Sequence, residues 1–406
     1  MAFKISSAAK RAIMLGGMCS LSYLAVYVAR NVLGAVTPQL IESGVFTTEF
    51  IGQLSSVYFI TYAVGQLVNG VIGDRIKSKY MISFGLILSG LLSVLIPVFS
   101  KSATTVYLIY GATGFYLSMI YAPMTKVVAE NTEPVYATRC SLGFSFASLF
   151  GSPLAGVLAA VLVWQGVFLG SSATLVIMGC ICLITFSIFE KRGIIEYGKI
   201  KGQKGTGSIR VLIENRIIKF TLISVITGVV RTTVVFWLPT YISQYLGYST
   251  EQSALIYTAA TLVISFTTFV AVFLYERLRR NMDLTILIAF VSAAACFMTV
   301  YLFKHPVFNI VFMILAIMSS NTASTMLWSR YCPGLRDTGM VSSATGFLDF
   351  MSYMAASISS TLFANAVSDI GWGNLILVWF DADRCSCSHS PQKTCKKSHL
   401  SYRVTS

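Results

Sequence analysis

Long apolar runs separated by short polar segments make up most of the chain. Each run has about 20 residues, which is the length of helix that crosses a bilayer. The chain lacks the short alternating strands that build a membrane barrel. The pattern predicts an all-α membrane protein. The first eleven spans are predicted at 12–41, 50–72, 80–100, 104–128, 140–163, 166–189, 217–246, 252–275, 284–303, 307–329 and 338–364. A twelfth span begins near Trp372.

The composition excludes an ordinary soluble protein. Hydrophobic residues make up 55% of the 406 positions, and charged residues only 11%, whereas soluble domains carry about 25% charged residues. The net charge is +14, but the basic residues lie in short loops and not on one soluble face, as nucleic-acid binding would require. We therefore expect the partners to be a lipid bilayer and a small molecule, and no nucleic acid.

The loop charges predict the orientation in the membrane. Lysine and arginine collect in cytoplasmic loops, and here they fall in alternate loops, such as the one with Arg277, Arg279 and Arg280. The opposite loops carry only Lys101 and Lys304. The N-terminus and the polar segment 190–216 are therefore expected in the cytoplasm, and the protein in the cell membrane as a multi-pass chain.

The C-terminal segment departs from the apolar pattern. The twelfth span opens with "GNLILVWF" and gives way to a polar stretch that cannot cross a bilayer. We expect 381–406 to be an aberrant polar tail and the twelfth helix to be truncated. The cysteines and histidines of this tail match no standard zinc spacing, so the sequence predicts neither a metal nor a cofactor.

An internal repeat divides the chain into two halves. Arg30 and Pro38 in the first span correspond to Arg231 and Pro239 in the seventh, and each pair is 201 residues apart (231 − 30 and 239 − 38). Repeated halves of this kind pack around a site near the bilayer midplane. We therefore predict a six-helix bundle at 1–189, a cytoplasmic linker at 190–216 and a second bundle at 217–380.

The two arginines are the strongest functional signal. An arginine at the bilayer centre costs about 2.5–3.5 kcal/mol on insertion scales, and such residues face a cavity or a counter-charge. Among the sixteen acidic residues, only Asp349 lies clearly inside a span. One carboxylate cannot neutralise both arginines, which indicates an anionic substrate. Guanidinium groups bind carboxylate or phosphate in bidentate fashion, and two of them together favour a dianion such as a phosphate ester.

Polar residues accompany the first arginine. Tyr23 and Tyr27 precede Arg30 by seven and three residues, so the three share one helix face. Tyr62 and Gln66 are four residues apart on the second span and also share a face. These side chains could orient a polar ligand, although a tyrosine in a helix can equally serve packing.

The segment "GVIGDRIKSK" resembles the loop motif of the major facilitator superfamily, whose fold consists of two six-helix bundles related by a pseudo-two-fold axis. More narrowly, the chain resembles the organophosphate:phosphate antiporters in its first span, in "RTTVVFWLPTY" of the seventh and in Tyr353 of the eleventh. The resemblance implies rocker-switch exchange, and we expect the protein to be a monomer. The resemblance also implies substrate binding by Arg30, Arg231, Tyr23, Tyr27, Tyr62, Gln66 and Tyr353, and gating by Gly70, Gly73, Asp74, Arg75 and Lys79.

The polar set departs from that family at several positions. Asn31 and Gln66 stand where glycerol-phosphate members have lysine, Phe236 replaces an acid, and Asp349 is additional. The leading prediction is exchange of an organophosphate for phosphate. The alternative is a proton-coupled symporter of an organic anion such as a sugar acid, with Asp349 as the coupling residue. A membrane sensor that binds without transporting is disfavoured, because nothing in the sequence resembles a soluble signalling domain. No arrangement of catalytic residues indicates an enzyme.

Overall fold

The computed structural model describes residues 7–73, 76–197, 209–303, 305–335 and 341–388. Its described residues are helical, with short turns between the helices. Seven of these helices are long and apolar enough to cross a membrane by length and composition. The prediction of an all-α membrane protein is therefore confirmed.

Six spans form the first half of the chain. The first is a single 36-residue helix that carries Pro38 in its last turns. The third and fourth spans are each interrupted by a short break. The bounds of spans one to six are Ser7–Glu42, Thr48–Gly73, Ser78–Ser93 with Leu95–Val98, Ala103–Leu117 with Tyr121–Asn131, Pro134–Val161, and Trp164–Lys191.

The second half repeats this order with more irregular helices. A short helix, Ile209–Glu214, precedes it. Two spans contain a π-helical turn, in which backbone hydrogen bonds skip one extra residue. The bounds of spans seven to ten are Ile217–Gly228 with the π-turn Val229–Val234 and Val235–Gln244, Thr250–Ser265 with Thr267–Arg277, Met282–Leu302, and Pro306–Met326 with the π-turn Leu327–Tyr331 and Cys332–Gly334.

The last helix, Val341–Ser388, contains a sharp break at Gly371, whose φ of 74° lies in the left-handed region. The part before the break is span eleven. Beyond it, Trp372 donates a hydrogen bond from Nε1 to Gln244 Oε1 at 3.2 Å and packs against Trp237. Glycine adopts this backbone conformation without a steric penalty, so the chain can turn back onto span seven.

The helix extends to Ser388, beyond residue 380 where the apolar pattern ends. A polar segment can be helical without being able to cross a bilayer, because helix formation and lipid solubility are separate requirements. Residues 389–406 lie outside the described part, so most of the predicted tail stays a prediction, as do the predicted domain boundaries.

The repeat is visible in the turns as well as in the helices. Gly44 follows span one and Gly247 follows span seven, with φ of 67° and 76°. Neither would meet another atom within 4 Å if a Cβ were added, so the left-handed backbone conformation itself favours glycine at both positions. The two halves therefore use the same turn after the span that carries the arginine.

The first residues of the predicted linker pack against the first bundle. Ile195 is buried, and the Asn131 amide bonds both backbone groups of Glu196, at 2.7 Å to its N and 3.1 Å to its O. Arg11 donates to the Gly193 carbonyl at 2.6 Å. The start of the linker is therefore fixed to spans one and four.

Candidate functional site

Arg30 lies in an aromatic enclosure. Four rings have their centroids between 4.8 and 5.8 Å from its guanidinium carbon. Such contacts between a cation and a ring face are attractive, and they strengthen when water is excluded. The four residues are Tyr27, Phe59, Tyr62 and Tyr353.

One of these contacts joins the two halves of the chain. Arg30 Nη1 donates a hydrogen bond to the Tyr353 hydroxyl at 2.6 Å. Tyr353 also packs on Tyr62, with 4.9 Å between the ring centroids. Tyr62 and Tyr353 are both almost fully buried, whereas Arg30 is half-buried. The site therefore lies at the interface between the bundles.

Arg231 lies on the second bundle's side of this interface. It is half-buried and sits within the π-turn Val229–Val234 of span seven. π-Turns are rare and occur frequently at functional sites. Tyr27 and Tyr353 are within electrostatic range of Arg231 as they are of Arg30, and the two arginines act on each other. The structure therefore brings the two predicted arginines to one site.

Within the described part of the chain, neither arginine forms an ion pair with a carboxylate. The ion pairs of this part include Glu190 with Lys77 and Lys79, and Asp283 with Arg216 and Lys219. Asp349 is close enough to Arg231, and to a lesser degree Arg30, for their charges to act on it. The site thus combines two guanidinium groups with one carboxylate.

The other predicted residues are distributed around this centre. Tyr23 packs on Tyr27 with 4.9 Å between centroids and on Tyr121 with 5.3 Å, one layer away from Arg30. Gln66 bonds to Asp349 across the interface. Tyr23 therefore supports the enclosure from behind, and Gln66 lies beside the acid.

The predicted gating motif is described only in part. Gly70 and Gly73 lie in the second span, and Asp74 and Arg75 lie outside the described residues. Lys79 is buried at 8% exposure and pairs with Glu190 Oε2 at 2.6 Å. Glu190 was not among the predicted residues, although its position at the end of span six suits a partner for basic residues.

Two aromatic residues near the site were not among those predicted from the sequence. Phe59 precedes Tyr62 by three residues and so shares its helix face. Tyr121, at the start of the second part of span four, is 42% exposed. The spacing of Phe59 could have revealed its position, whereas Tyr121 depends on how span four packs, which the sequence does not show.

The bundles also contact each other along three pairs of spans. Gly52 of span two approaches Ala364 of span eleven, Gly34 of span one approaches Phe236 of span seven, and Gly156 of span five approaches span eight. All three glycines lie toward the end of the molecule where span one ends and span two begins. We call this group of contacts the glycine interface, formed by Gly34, Gly52 and Gly156 with their partners.

Comparison with known proteins agrees with this architecture. Residues 19–360 match the family model for the Major Facilitator Superfamily. The chain belongs to this superfamily. Two solved structures share the fold: a bacterial homologue of the human lysosomal transporter Spinster in an inward-facing, unoccupied conformation (15% identity, TM-score 0.71, 94% and 93% of the two chains covered) and a D-xylose–proton symporter (13% identity, TM-score 0.71, 93% and 96% covered).

Curated relatives of this superfamily member include transporters and a sensor. The phosphoglycerate transporter protein of Salmonella typhimurium is 24% identical over 87% of this chain and 82% of its own length. The glycerol-3-phosphate transporter of Bacillus subtilis is 23% identical over 57% and 58% of the two chains. The membrane sensor protein UhpC of Salmonella typhimurium is 32% identical over 96 residues, covering 24% of this chain and 22% of its own length. The matched part of the chain thus spans about three fifths of the length of the glycerol-3-phosphate transporter and about a fifth of the length of the sensor.

Proposed function

We propose that the protein is a secondary transporter for a small anionic organophosphate of the sugar-phosphate or glycerol-phosphate type, exchanged for inorganic phosphate. The observation that carries this proposal is the placement of Arg30 and Arg231. They come from different bundles, they share Tyr27 and Tyr353 as neighbours, and neither forms an ion pair in the described part of the chain.

The energetics support an anionic substrate. Two arginines within membrane spans cost roughly 5–7 kcal/mol on insertion scales, and aromatic contacts recover only about 0.5–2 kcal/mol each. A phosphate group accepts bidentate hydrogen bonds from guanidinium forks, and these are among the strongest hydrogen bonds in proteins. Phosphate is also the group shared by the substrates in the relatives' names.

The mechanism follows from the position of the site between the bundles. Because Arg30 and Arg231 belong to different bundles, a bound anion holds the two bundles together and can be exposed to either side when they rock. Tyr27, Tyr62 and Tyr353 orient the anion beside Arg30, and Tyr23 supports them. Exchange of one phosphate compound for another then needs no ion gradient.

We propose an orientation in the membrane from the charge distribution. The excess of lysine and arginine in alternate loops supports a cytoplasmic N-terminus and linker in a protein of the cell membrane. The glycine interface then lies on the outer side of Arg30 and separates the site from the outside. With this orientation, the loop after span two is expected on the cytoplasmic side, and we propose that its residues Gly70, Gly73, Asp74, Arg75 and Lys79 control the opposite entrance.

Exchange in proteoliposomes tests the proposal. Vesicles loaded with inorganic phosphate should take up labelled phosphate saturably without an ion gradient, and Arg30→Ala or Arg231→Ala should each abolish this uptake. Arg192→Ala is the matched control, because Arg192 is exposed at the end of span six. Sugar and glycerol phosphates should compete. Well-folded protein without exchange would exclude phosphate as the counter-substrate.

Asp349 favours one second candidate, a proton-coupled symporter of an organic anion such as a sugar acid. A titratable carboxylate beside Arg231 could carry the coupling proton. Uptake would then be driven uphill by a proton gradient, and Asp349→Asn would abolish accumulation. Accumulation that persists in this variant, or uptake that ignores the gradient, would rule this candidate out.

A further inference from the structure

Asp349 lies on the face of span eleven that meets span two. The two helices run antiparallel, because their contacts progress from Gly52 with Ala364 through Ser56 with Ser357 to Tyr62 with Tyr353. One helical turn beyond the last pair, the same register brings Gln66 opposite Asp349. The hydrogen bond between Gln66 and Asp349 agrees with this register. The carboxylate is therefore held at the substrate site and does not point into lipid.

The groups around Asp349, with Gln66 of span two included, come from six spans. Arg231 of span seven and Arg30 of span one are the cations whose charges act on it. Tyr121 of span four, Cys332 at the end of span ten and Tyr353 of its own helix are also within electrostatic range of it. Phenols and thiols are ordinarily neutral below about pH 8. The charge of the site near neutral pH therefore comes from two guanidinium groups and this carboxylate.

This charge differs from that of an arginine pair alone. With Asp349 ionised, the three groups carry a net charge of +1, which a singly charged anion neutralises. A doubly charged anion would leave one uncompensated negative charge between membrane-spanning helices, and such charges are costly. Gln66 can bond to the carboxylate but supplies no compensating charge.

We infer that Asp349 is a specificity-determining residue that makes this site select the singly charged form of a phosphate group. The inference rests on the proposed organophosphate exchange and narrows its substrate class. A doubly charged phosphate binds only together with one proton. Whether the phosphate or Asp349 holds this proton, the bound complex contains the same atoms and has the same net charge. Two arginines without Asp349 would favour the dianion.

The pH dependence of phosphate exchange tests this inference. Proteoliposomes are held at equal pH on both sides, between pH 6 and pH 8, and labelled inorganic phosphate is the probe. Inorganic phosphate passes from its singly charged to its doubly charged form within this range. The apparent KM for total phosphate should therefore rise about 5-fold or more from pH 6 to pH 8. Sulfate, which stays doubly charged, should compete weakly at both pH values.

Substitutions at Asp349 separate this effect from other causes of pH dependence. Asp349→Asn should flatten the pH profile and make sulfate an effective competitor, whereas Asp349→Glu should keep both wild-type properties. Asp283→Asn is the matched control, because Asp283 pairs with Arg216 and Lys219 at a helix end away from the site. If the Asn variant does not fold, the wild type and the Glu variant still decide the question through sulfate competition.

The two proposals fail in different ways. Exchange with a KM that does not change with pH, or sulfate competition as strong as that of phosphate in the wild type, would overturn the role of Asp349 and leave the exchanger intact. A pH profile identical in wild type and Asp349→Asn would have the same consequence. Absence of any exchange would instead remove the proposed function and, with it, this inference.

Discussion

Replacing Gly52 with alanine should shift the protein away from the conformation in which the glycine interface is closed. An added Cβ would overlap the Ala364 Cβ and lie 3.0 Å from the Ser360 carbonyl oxygen. One neighbour is backbone and the other is a methyl carbon fixed directly to it, so neither can rotate away. The helices must therefore separate locally, or the interface must open.

The magnitude follows from the kind of clash. Inserting a carbon into a tightly packed contact costs about 1–3 kcal/mol. Gly52 and Ala364 lie on different bundles, so the strain exists only while the bundles touch here. The substitution should therefore change the equilibrium between closed and open interfaces by roughly 5- to 150-fold.

Cross-linking across the same interface measures this shift. The Ser56 and Ser357 hydroxyls are 2.8 Å apart, so cysteines at both positions should form a disulfide while the interface is closed. In the Gly52→Ala background this cross-link should form at least about 5-fold more slowly, and phosphate exchange should slow as well. Adding Ala364→Gly should restore part of the rate, because it removes the overlapping carbon.

Gly170→Ala is the matched control. Gly170 lies inside span six, and an added Cβ would meet no atom within 4 Å. The control experiences the same gain in helix propensity without the clash. Equal cross-linking rates in Gly52→Ala and the parent protein would refute the reasoning, because they would show that the helices absorb the added carbon without separating.

Three further substitutions test other parts of the fold. Gly156→Ala should slow exchange in the same direction as Gly52→Ala, because its Cβ would overlap a side chain of span eight; an unchanged rate would limit the argument to span two. Glu190→Gln should lower the thermal midpoint in detergent, because the mostly buried Lys79 loses a charged hydrogen bond worth about 1.5–3 kcal/mol, and an unchanged midpoint would contradict this. Asn309→Ala should lower the thermal midpoint more than Glu190→Gln does, because the fully buried Asn309 side chain forms hydrogen bonds with Tyr241 and with two backbone carbonyls, one in span nine and one in the loop after it. A smaller loss in Asn309→Ala than in Glu190→Gln would contradict this order.

The spans were predictable because lipid imposes a simple rule on them. A segment that crosses the bilayer must be helical, about 20 residues long and apolar, and the predicted span from 217 to 246 compares with Ile217–Gln244 in the structure. The break at Gly371 and the π-turn at Arg231 were not predictable. They depend on backbone geometry within a continuous run, which apolar periodicity does not record.

Residues of the site were predictable where their transfer into a membrane is energetically unfavourable. Arg30 and Arg231 stand out because charge is expensive in a membrane, and the repeat places them opposite each other. The tyrosines could not be ranked in this way, because the apolar ring and polar hydroxyl of a tyrosine are tolerated both in a packed core and at the boundary between lipid and water. Only packing separates Tyr62, which contacts Arg30, from Tyr23, which lies one layer behind it.

The π-turn that holds Arg231 also bears on how this chain can vary by insertion and deletion. A π-turn accommodates one more residue than a regular helical turn, and each residue rotates a helix by about 100°. Deleting one residue within Val229–Val234 would therefore leave a continuous helix but redirect every side chain from Phe236 to Tyr241, including Trp237 at the glycine interface. Length changes at this turn should be far less tolerated than substitutions of its valines.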